Sequence, residues 1–409
     1  MINYEATKQK LKAGLMEKID FSKAAGDEEI KELIDDEIVL LGRYGYLSLA
    51  EKNRLGKELF ASIRKLDILQ EIIDDEEITE IMVNGPECIF IEKKGKLQRW
   101  KNYFESREKL EDVIQQIVAK SNRVVNEGSP IVDARLENGS RVNVVLHPVA
   151  INGPILTIRR FPDKPIQIED LLRLQSITEE AATFLKQLVI AGYNIFISGG
   201  TGSGKTTFLN VMSQFIPESQ RIITIEDSAE LQIMGIPNLV RLETRNANVE
   251  GCREITIRDL IRSALRMRPD RIIVGEVRGS EAIDMMQALN TGHDGSLSTG
   301  HANSARDMLY RLETMVLMGM DLPLPAIRRQ IASGIDIIVH LGRIRDKTRK
   351  ILEIVEVTGY ETEEISIVPL FSFQETGEDE NGRILGKLKK VGELLHKEKL
   401  SAAGLEHVL

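Results

Sequence analysis

Cysteine is almost absent from this sequence: Cys88 and Cys252 are the only two in 409 residues, and neither sits in a C-x-x-C pair. That excludes a disulfide framework and a four-cysteine zinc site, and it fits a reducing compartment. Long apolar runs are missing too. The most apolar stretch, Leu185 to Ser198, is short and flanked by glycines, whereas a membrane span needs about 20 residues. Met1 to Lys10 lacks the apolar segment of a secretory signal, so none is expected. Positive charge is not in excess either: 63 acidic against 54 basic residues leave a net charge of -9. This is the wrong sign for life on a polyanion, and nucleic acid is disfavoured as a partner. What is present is an ordinary globular balance of 42% hydrophobic and 29% charged residues. A chain of 409 residues exceeds what one core usually serves, so two or three domains are expected.

Along the chain, the first segment is charged and reads as helical. Ser48-Leu49-Ala50-Glu51 has capping-box form, and Leu55, Leu59, Ile63 and Leu66 recur at helical spacing. From Ile78 the pattern changes to short strands, with turns at Asn84-Gly85-Pro86 and Lys94-Gly95-Lys96. A helix with Leu110, Val113, Ile114, Ile117 and Val118 on one face follows, and then runs at Ile131–Leu136, Arg141–His147 and Ile155–Arg160. Pro162 and Pro165 mark 161–170 as a linker. Beyond Leu171, helices alternate with buried strands, the rhythm of an open parallel sheet. Strands are expected at Asn194–Ile197, Arg221–Ile225, Arg271–Val274 and Leu297–Thr299, and again at Ile337–Ile344, Ile351–Thr358 and Ile365–Phe371. The charged run after Gln374 reads as a surface helix or a partly disordered tail.

The strongest chemical signal is Gly199-Gly200-Thr201-Gly202-Ser203-Gly204-Lys205-Thr206, between the apolar run Ile195-Phe196-Ile197 and Thr207-Phe208-Leu209. A strand, a glycine-rich loop and a helix in this order make a phosphate cradle, in which consecutive backbone N–H groups wrap the β-phosphate. Lys205 reaches the β/γ oxygens and Thr206 supplies a hydroxyl to Mg²⁺. ATP and Mg²⁺ are therefore the expected cofactors, with Gly200 to Thr207 as the binding segment.

Hydrolysis also needs a carboxylate and neutralising cations. Arg271-Ile272-Ile273-Val274-Gly275-Glu276 is a buried strand ending in Glu276, with Gly275 standing where an aspartate often precedes the acid. Carboxylates also emerge at Ile225-Glu226-Asp227-Ser228-Ala229-Glu230, where Asp227 and Glu230 could equally decorate a helix N-terminus. His293 and His301 flank a short apolar run among glycines, at spacings poorly suited to zinc.

These four elements, in this order, resemble the Walker A, Asp box, Walker B and His box of the type II/type IV secretion ATPase superfamily. Ile257-Arg258-Asp259-Leu260, Ala264-Leu265-Arg266-Met267-Arg268-Pro269-Asp270 and Arg311-Leu312-Glu313-Thr314-Met315 are similar to the CpaF type, which serves tight-adherence (Flp-type) pili. The chain lacks the tetracysteine module usual in extension-type assembly ATPases. The similarity runs from about Ile78 to about Phe373 and is most specific over Gly199–Ile335.

The resemblance implies an α/β fold: a RecA-like P-loop NTPase C-terminal domain, a smaller PAS-like α/β N-terminal domain and an N-terminal helical segment. The expected divisions are 1–75, 76–160, the linker 161–170, 171–373 and a tail 374–409. It further implies a cytoplasmic homohexamer, with ATP bound between the two domains, at the inner face of the membrane and working on inner-membrane platform proteins. Glu226 is then the residue that activates water and Glu276 the one that holds Mg²⁺ or its water, two roles that could be exchanged. Arg135, Arg141 and Arg159 would reach the phosphates, with Arg241, Arg245, Arg266 and Arg268 as further candidates, and His293 and His301 would contact the site. The alternative is a nucleic-acid translocase, or a conjugation-type transfer ATPase, on the same core.

Overall fold

Ser48 accepts a hydrogen bond from the Glu51 N–H at 3.3 Å while the Glu51 carboxylate accepts from the Ser48 N–H at 2.8 Å, the reciprocal cap expected from the sequence. It starts the third helix in a computed structural model that describes residues 4–18, 26–41, 48–93, 95–121, 123–160, 165–245 and 253–405. The chain divides into two units, Met1–Asp163 and Lys164–Leu409. Residues 161–164 of the expected linker lie outside the described residues.

The first unit opens with α1 (Tyr4–Lys18), α2 (Asp27–Leu41) and α3 (Leu49–Arg64). They bury Leu15, Ile30, Ile34, Leu55 and Leu59 among themselves, a small core of their own. After α4 (Leu69–Asp74) come β1 (Ile78–Asn84), β2 (Ile89–Lys93), β3 (Lys96–Arg99), α5 (Arg107–Lys120), β4 (Ile131–Arg135), β5 (Arg141–Val145) and β6 (Ile155–Arg159). The strands form an antiparallel sheet in the order β3-β2-β1-β6-β5-β4. Its inner face joins the apolar face of α5, on which Leu110, Val113, Ile114, Ile117 and Val118 are all buried.

The second unit runs α6 (Ile168–Arg173), α7 (Glu179–Ala191), β7 (Ile195–Gly199), α8 (Lys205–Ser213), β8 (Ile222–Glu226), β9 (Leu239–Glu243), α9 (Ile257–Ala264) and β10 (Arg271–Val274). It continues with α10 (Ala282–Leu289), β11 (Leu297–Gly300), α11 (Ala305–Gly319), α12 (Leu324–Gly334), β12 (Ile337–Arg343), β13 (Arg349–Glu361), β14 (Glu364–Glu378), β15 (Ile384–Lys390) and α13 (Glu398–Ala402). The nine-stranded sheet has the order β15-β14-β13-β12-β7-β11-β10-β8-β9. From β12 to β9 all neighbours are parallel, and β13, β14 and β15 extend the sheet as antiparallel strands. Strands β7, β8, β10 and β11 are buried on both faces because helices cover both, the arrangement that a βα alternation dictates.

The C-terminal residues correct the expected tail. β14 runs to Glu378, and β15 pairs with it from Ile384 to Lys390. Ile384 and Leu388 are four apart, a spacing that one helix face and one strand face share. The residue between them on the strand face is Gly386, whose absent side chain hides the alternation; a Cβ there would lie 2.5 Å from the Phe373 ring. The chain end is then tied to the core. The Glu356 carboxylate, 2% exposed, accepts hydrogen bonds from the Leu395 and His396 N–H groups at 2.7 and 2.8 Å. Lys399 bridges Asp294 and Asp336 at 2.8 and 2.7 Å, and Tyr193 donates its hydroxyl proton to the His396 carbonyl. Glu356→Ala should cost about 1.5–3 kcal/mol, the range for hydrogen bonds to a charged group, by removing the acceptor of two N–H groups. Thermal melts should show a lowered midpoint, and proteolysis should trim the chain near Leu395 faster than wild type.

Candidate active site

The order of the sheet reverses at β7, whose neighbours β11 and β12 come later in sequence on either side. Ligand sites in open α/β sheets form at such a point, beyond the carboxyl ends of the strands. The Gly199–Lys205 loop leaves β7 there and leads into α8. Gly199 must be glycine: a Cβ would lie 2.4 Å from the Leu341 carbonyl on β12 and 2.6 Å from the Ser203 hydroxyl. Gly202 and Gly204 hold φ of 71° and 95°, left-handed conformations that L side chains resist. Arg349 on β13 braces the loop by donating to the Gly202 carbonyl at 2.8 Å. Gly200 and Thr201 are exposed, Ser203 and Lys205 are buried, and Thr206 and Thr207 are half-buried in the first turn of α8.

Lys205 is the first link of a chain of charges. Its ammonium donates to the Gly199 and Gly200 carbonyls at 3.2 and 3.1 Å and lies 3.3 Å from His301 Nδ1. His301 Nε2 lies 2.7 Å from a Glu276 carboxylate oxygen. The other Glu276 oxygen accepts from Arg278 at 2.6 Å, and Arg278 also lies 3.6 Å from the Asp227 carboxylate. Burial, then the Lys205 charge, lowers the His301 pKa. The neutral ring fits its partners: Nδ1 accepts from Lys205, and Nε2–H faces Glu276. Burial also lowers the Lys205 pKa, with Glu276 opposing. The ends of β7, β11, β10 and β8 are thereby joined by side chains along one edge of the sheet.

Glu226, at the end of β8, has a different environment. It is 3% exposed, and one carboxylate oxygen accepts from the Glu230 and Leu231 N–H groups at 2.6 and 2.8 Å. The other oxygen is buried without a hydrogen-bond partner. Desolvation outweighs the two N–H donors and pushes the Glu226 pKa up to about 7. Gly275 has a reason here: a Cβ at that position would lie 3.0 Å from Glu226 Cγ, so an aspartate before Glu276 would crowd the acid. The segment after β8 is not helical, so Asp227 and Glu230 cap no helix; the loop instead folds its N–H groups back onto Glu226.

His293 is not brought to this edge. It sits in the turn before β11, where Nδ1 lies 3.1 Å from the Ala288 carbonyl at the end of α10. That is where β11 begins, the opposite end of the strand from His301, and this corrects the expectation of a site contact. Of the further arginines, Arg241 donates to the Leu231 carbonyl at 2.9 Å beside Glu226, and Arg245 to the Arg253 carbonyl at 3.2 Å. Arg268 sits in a turn at φ 54°.

Within the first unit, Arg135 pairs with Arg141 and Arg141 with Arg159, which aligns three arginines across β4, β5 and β6. Directly paired residues share a face, and here it is the face opposite the buried Val142 and Ile158. Arg159 is followed in the row by Glu80, and Arg141 lies 3.7 Å from Asp133. Like charges directly opposite each other are unfavourable, and the carboxylates of Glu80 and Asp133 offset part of the row's charge.

Sequence reasoning missed the clamp beneath the cradle. His340 on β12 is 5% exposed, and its Nδ1 lies 2.8 Å from the Ser198 hydroxyl, one residue before the loop. Glu353, paired with His340 across β12 and β13, accepts from the Ala305 N–H at 2.8 Å and so fixes the start of α11. Neither residue belongs to a motif; only strand register brings them here.

The match to the family model described as type II/IV secretion system protein covers residues 63–384. The chain belongs to that family. It is 34% identical over 310 residues to a putative conjugal transfer protein of Mycobacterium tuberculosis, covering 73% of this chain and 88% of that one. A type IV secretion system protein VirB11 of Brucella suis is 34% identical over 306 residues, covering 68% of this chain and 84% of the relative. Among solved structures, the pilus retraction motor PilT with bound ADP superposes with a TM-score of 0.52 at 19% identity, over 84% of this chain and 87% of that one. The Legionella pneumophila ATPase DotB gives 0.51 at 21%, over 70% and 79%. At these identities the two structures attest the fold.

Proposed function

We propose that this family member is a Mg²⁺-dependent ATPase that powers pilus assembly or protein secretion, of the CpaF type. The observation that carries the reading is the continuous chain Lys205–His301–Glu276–Arg278–Asp227, which joins the phosphate cradle to both acidic strand ends. Glu226, with its raised pKa and one free oxygen, is the general base for water; Glu276 and the Thr206 hydroxyl hold Mg²⁺ or its water. The donor set fits that metal. Mg²⁺ prefers one or two protein oxygens plus phosphates and water, and Glu276 and Thr206 offer a carboxylate and a hydroxyl oxygen of that kind. Bound Mg²⁺ supplies charge neutralisation at the phosphates.

The working form is proposed as a homohexamer, peripheral at the inner face of the cytoplasmic membrane and acting on inner-membrane platform proteins. Among the described residues no helix is long and apolar enough to cross a membrane. The row Arg135, Arg141 and Arg159 is proposed to serve the phosphates. Alanine at each should slow turnover without moving the thermal midpoint, and unchanged turnover in all three would return them to the surface.

A second reading, conjugation-type transfer, takes support from the conjugal-transfer relatives, which include TrbB of Rhizobium radiobacter at 32% identity. Phosphate release measured with and without single-stranded DNA separates the two. Hydrolysis indifferent to DNA fits the secretion or pilus motor, whereas strong stimulation favours the translocase. Absence of hydrolysis in the wild-type hexamer, with and without DNA, would overturn both.

A further inference from the structure

The Lys205 ammonium does more than mark the cradle; it shows which way a nucleotide's phosphates extend. The first turn of α8 takes the β-phosphate on its N–H groups. The lysine tip then points to the Gly199 and Gly200 carbonyls and to His301, so the terminal phosphate lies toward Gly200 and His301. On that side an open cleft of about 560 Å³ is lined by Gly200, Thr201 and His301, and across it by Asp307, Tyr310 and Arg311 of α11. Residues 307, 310 and 311 are spaced to share one helix face.

Arg311 differs from the other cations of this edge. Lys205 and Arg278 each contact His301 or Glu276, whereas Arg311 forms no ion pair or hydrogen bond among the described residues. Asp307, one turn earlier on the same face, does not pair with it either. The Arg311 charge still reaches the site, being one of those that lower the His301 pKa. Its helix is held in place. Ser304 caps α11 through the Asp307 N–H at 3.0 Å, and Glu353 takes the Ala305 N–H at 2.8 Å. An unpaired guanidinium, presented from a clamped helix across a cleft from a phosphate cradle, is an anion-binding group with an open position.

We propose that Arg311 is a γ-phosphate-binding residue, supplied by the same subunit that supplies the P-loop. It contacts the terminal phosphate oxygens of ATP, has nothing to contact in ADP, and stabilises the charge that builds on those oxygens during transfer to water. This rests on the ATPase reading above. It makes Arg311 the residue by which the second unit distinguishes ATP from ADP.

The test is calorimetric titration of the full chain with Mg²⁺ and either ADP or a non-hydrolysable ATP analogue, alongside phosphate release. Wild type, Arg311→Ala, Arg311→Lys and Arg311→Gln are compared, with Lys205→Ala as the control for the cradle. Arg311→Ala should weaken the analogue about 10- to 100-fold, the worth of a charge-assisted hydrogen bond, and leave ADP unchanged. Its kcat should fall at least about tenfold, with partial recovery in Arg311→Lys, as charge without the guanidinium fork predicts. Equal weakening of both nucleotides, or none, overturns the proposal and leaves Arg311 as a surface charge. Should Arg311→Ala fail to fold, Arg311→Gln gives the same comparison with the side-chain length kept. A wild-type chain that binds neither nucleotide, or a Lys205→Ala variant that binds both as well as wild type, defeats the underlying ATPase reading instead.

Discussion

Lys205→Ala is expected to abolish ATP hydrolysis and leave a folded protein. The side chain lies in the first turn of α8, is 8% exposed, and its partners are two loop carbonyls and His301. These contacts lie at the strand ends and in the loops beyond them, not inside the apolar core, so the loss to folding is small. The loss to chemistry is not. Phosphoryl transfer spreads charge over the terminal oxygens, and stabilising that charge is most of what a protein does for the reaction. With Lys205 gone, His301 and Glu276 lose the cation that ties them to the cradle. Phosphate release should drop to background while the thermal midpoint stays close to wild type. Hydrolysis at more than a few per cent of wild type would mean that the cradle is not the catalytic site.

Glu226→Gln should lower kcat by about 10²–10⁴, the usual worth of a positioned general base, while nucleotide affinity is retained. The pH dependence carries more information than the rate alone. With the Glu226 pKa near 7, the rate should climb as pH rises through 7 and the base loses its proton, and the variant should lack this limb. Stability should move the other way. Between the ordinary carboxylate value of 4.5 and about 7, the folded protein holds a proton that the unfolded chain has released. Stability therefore falls as pH rises through this window, by an amount on the order of 3 kcal/mol once pH exceeds 7. Glutamine removes that penalty, so Glu226→Gln should melt above wild type at pH 8 and close to it at pH 4. Glu276→Gln is the comparison. If it loses hydrolysis and Glu226→Gln does not, the base and metal-holding roles are exchanged.

Much of this site was legible in the chain itself. A glycine-rich loop between an apolar strand and a helix encodes its own geometry, because the strained φ values at Gly202 and Gly204 exclude other residues. The acids at the ends of β8 and β10 were legible for a related reason: a short apolar run stops where a parallel strand leaves the core. The cap at Ser48 and the apolar face of α5 are likewise local patterns, each satisfied within a few turns of chain.

Strand order and register decided the rest. They set His301 at the site and His293 at the other end of β11, although the two histidines look equivalent in sequence. Only register lines up Arg135, Arg141 and Arg159, and only the pairing of β12 with β7 places His340 beneath Ser198. β15 was invisible because Gly386 has no side chain to show the alternation, and its close approach to Phe373 is a tertiary fact. The raised Glu226 pKa is of the same kind, since desolvation is a property of what surrounds a carboxylate in space. Sequence by itself determined which chemical groups the protein carries and the local shapes that hold phosphate. The tertiary structure decided which groups meet and how far water is excluded from them, because both depend on contacts between residues far apart in the chain.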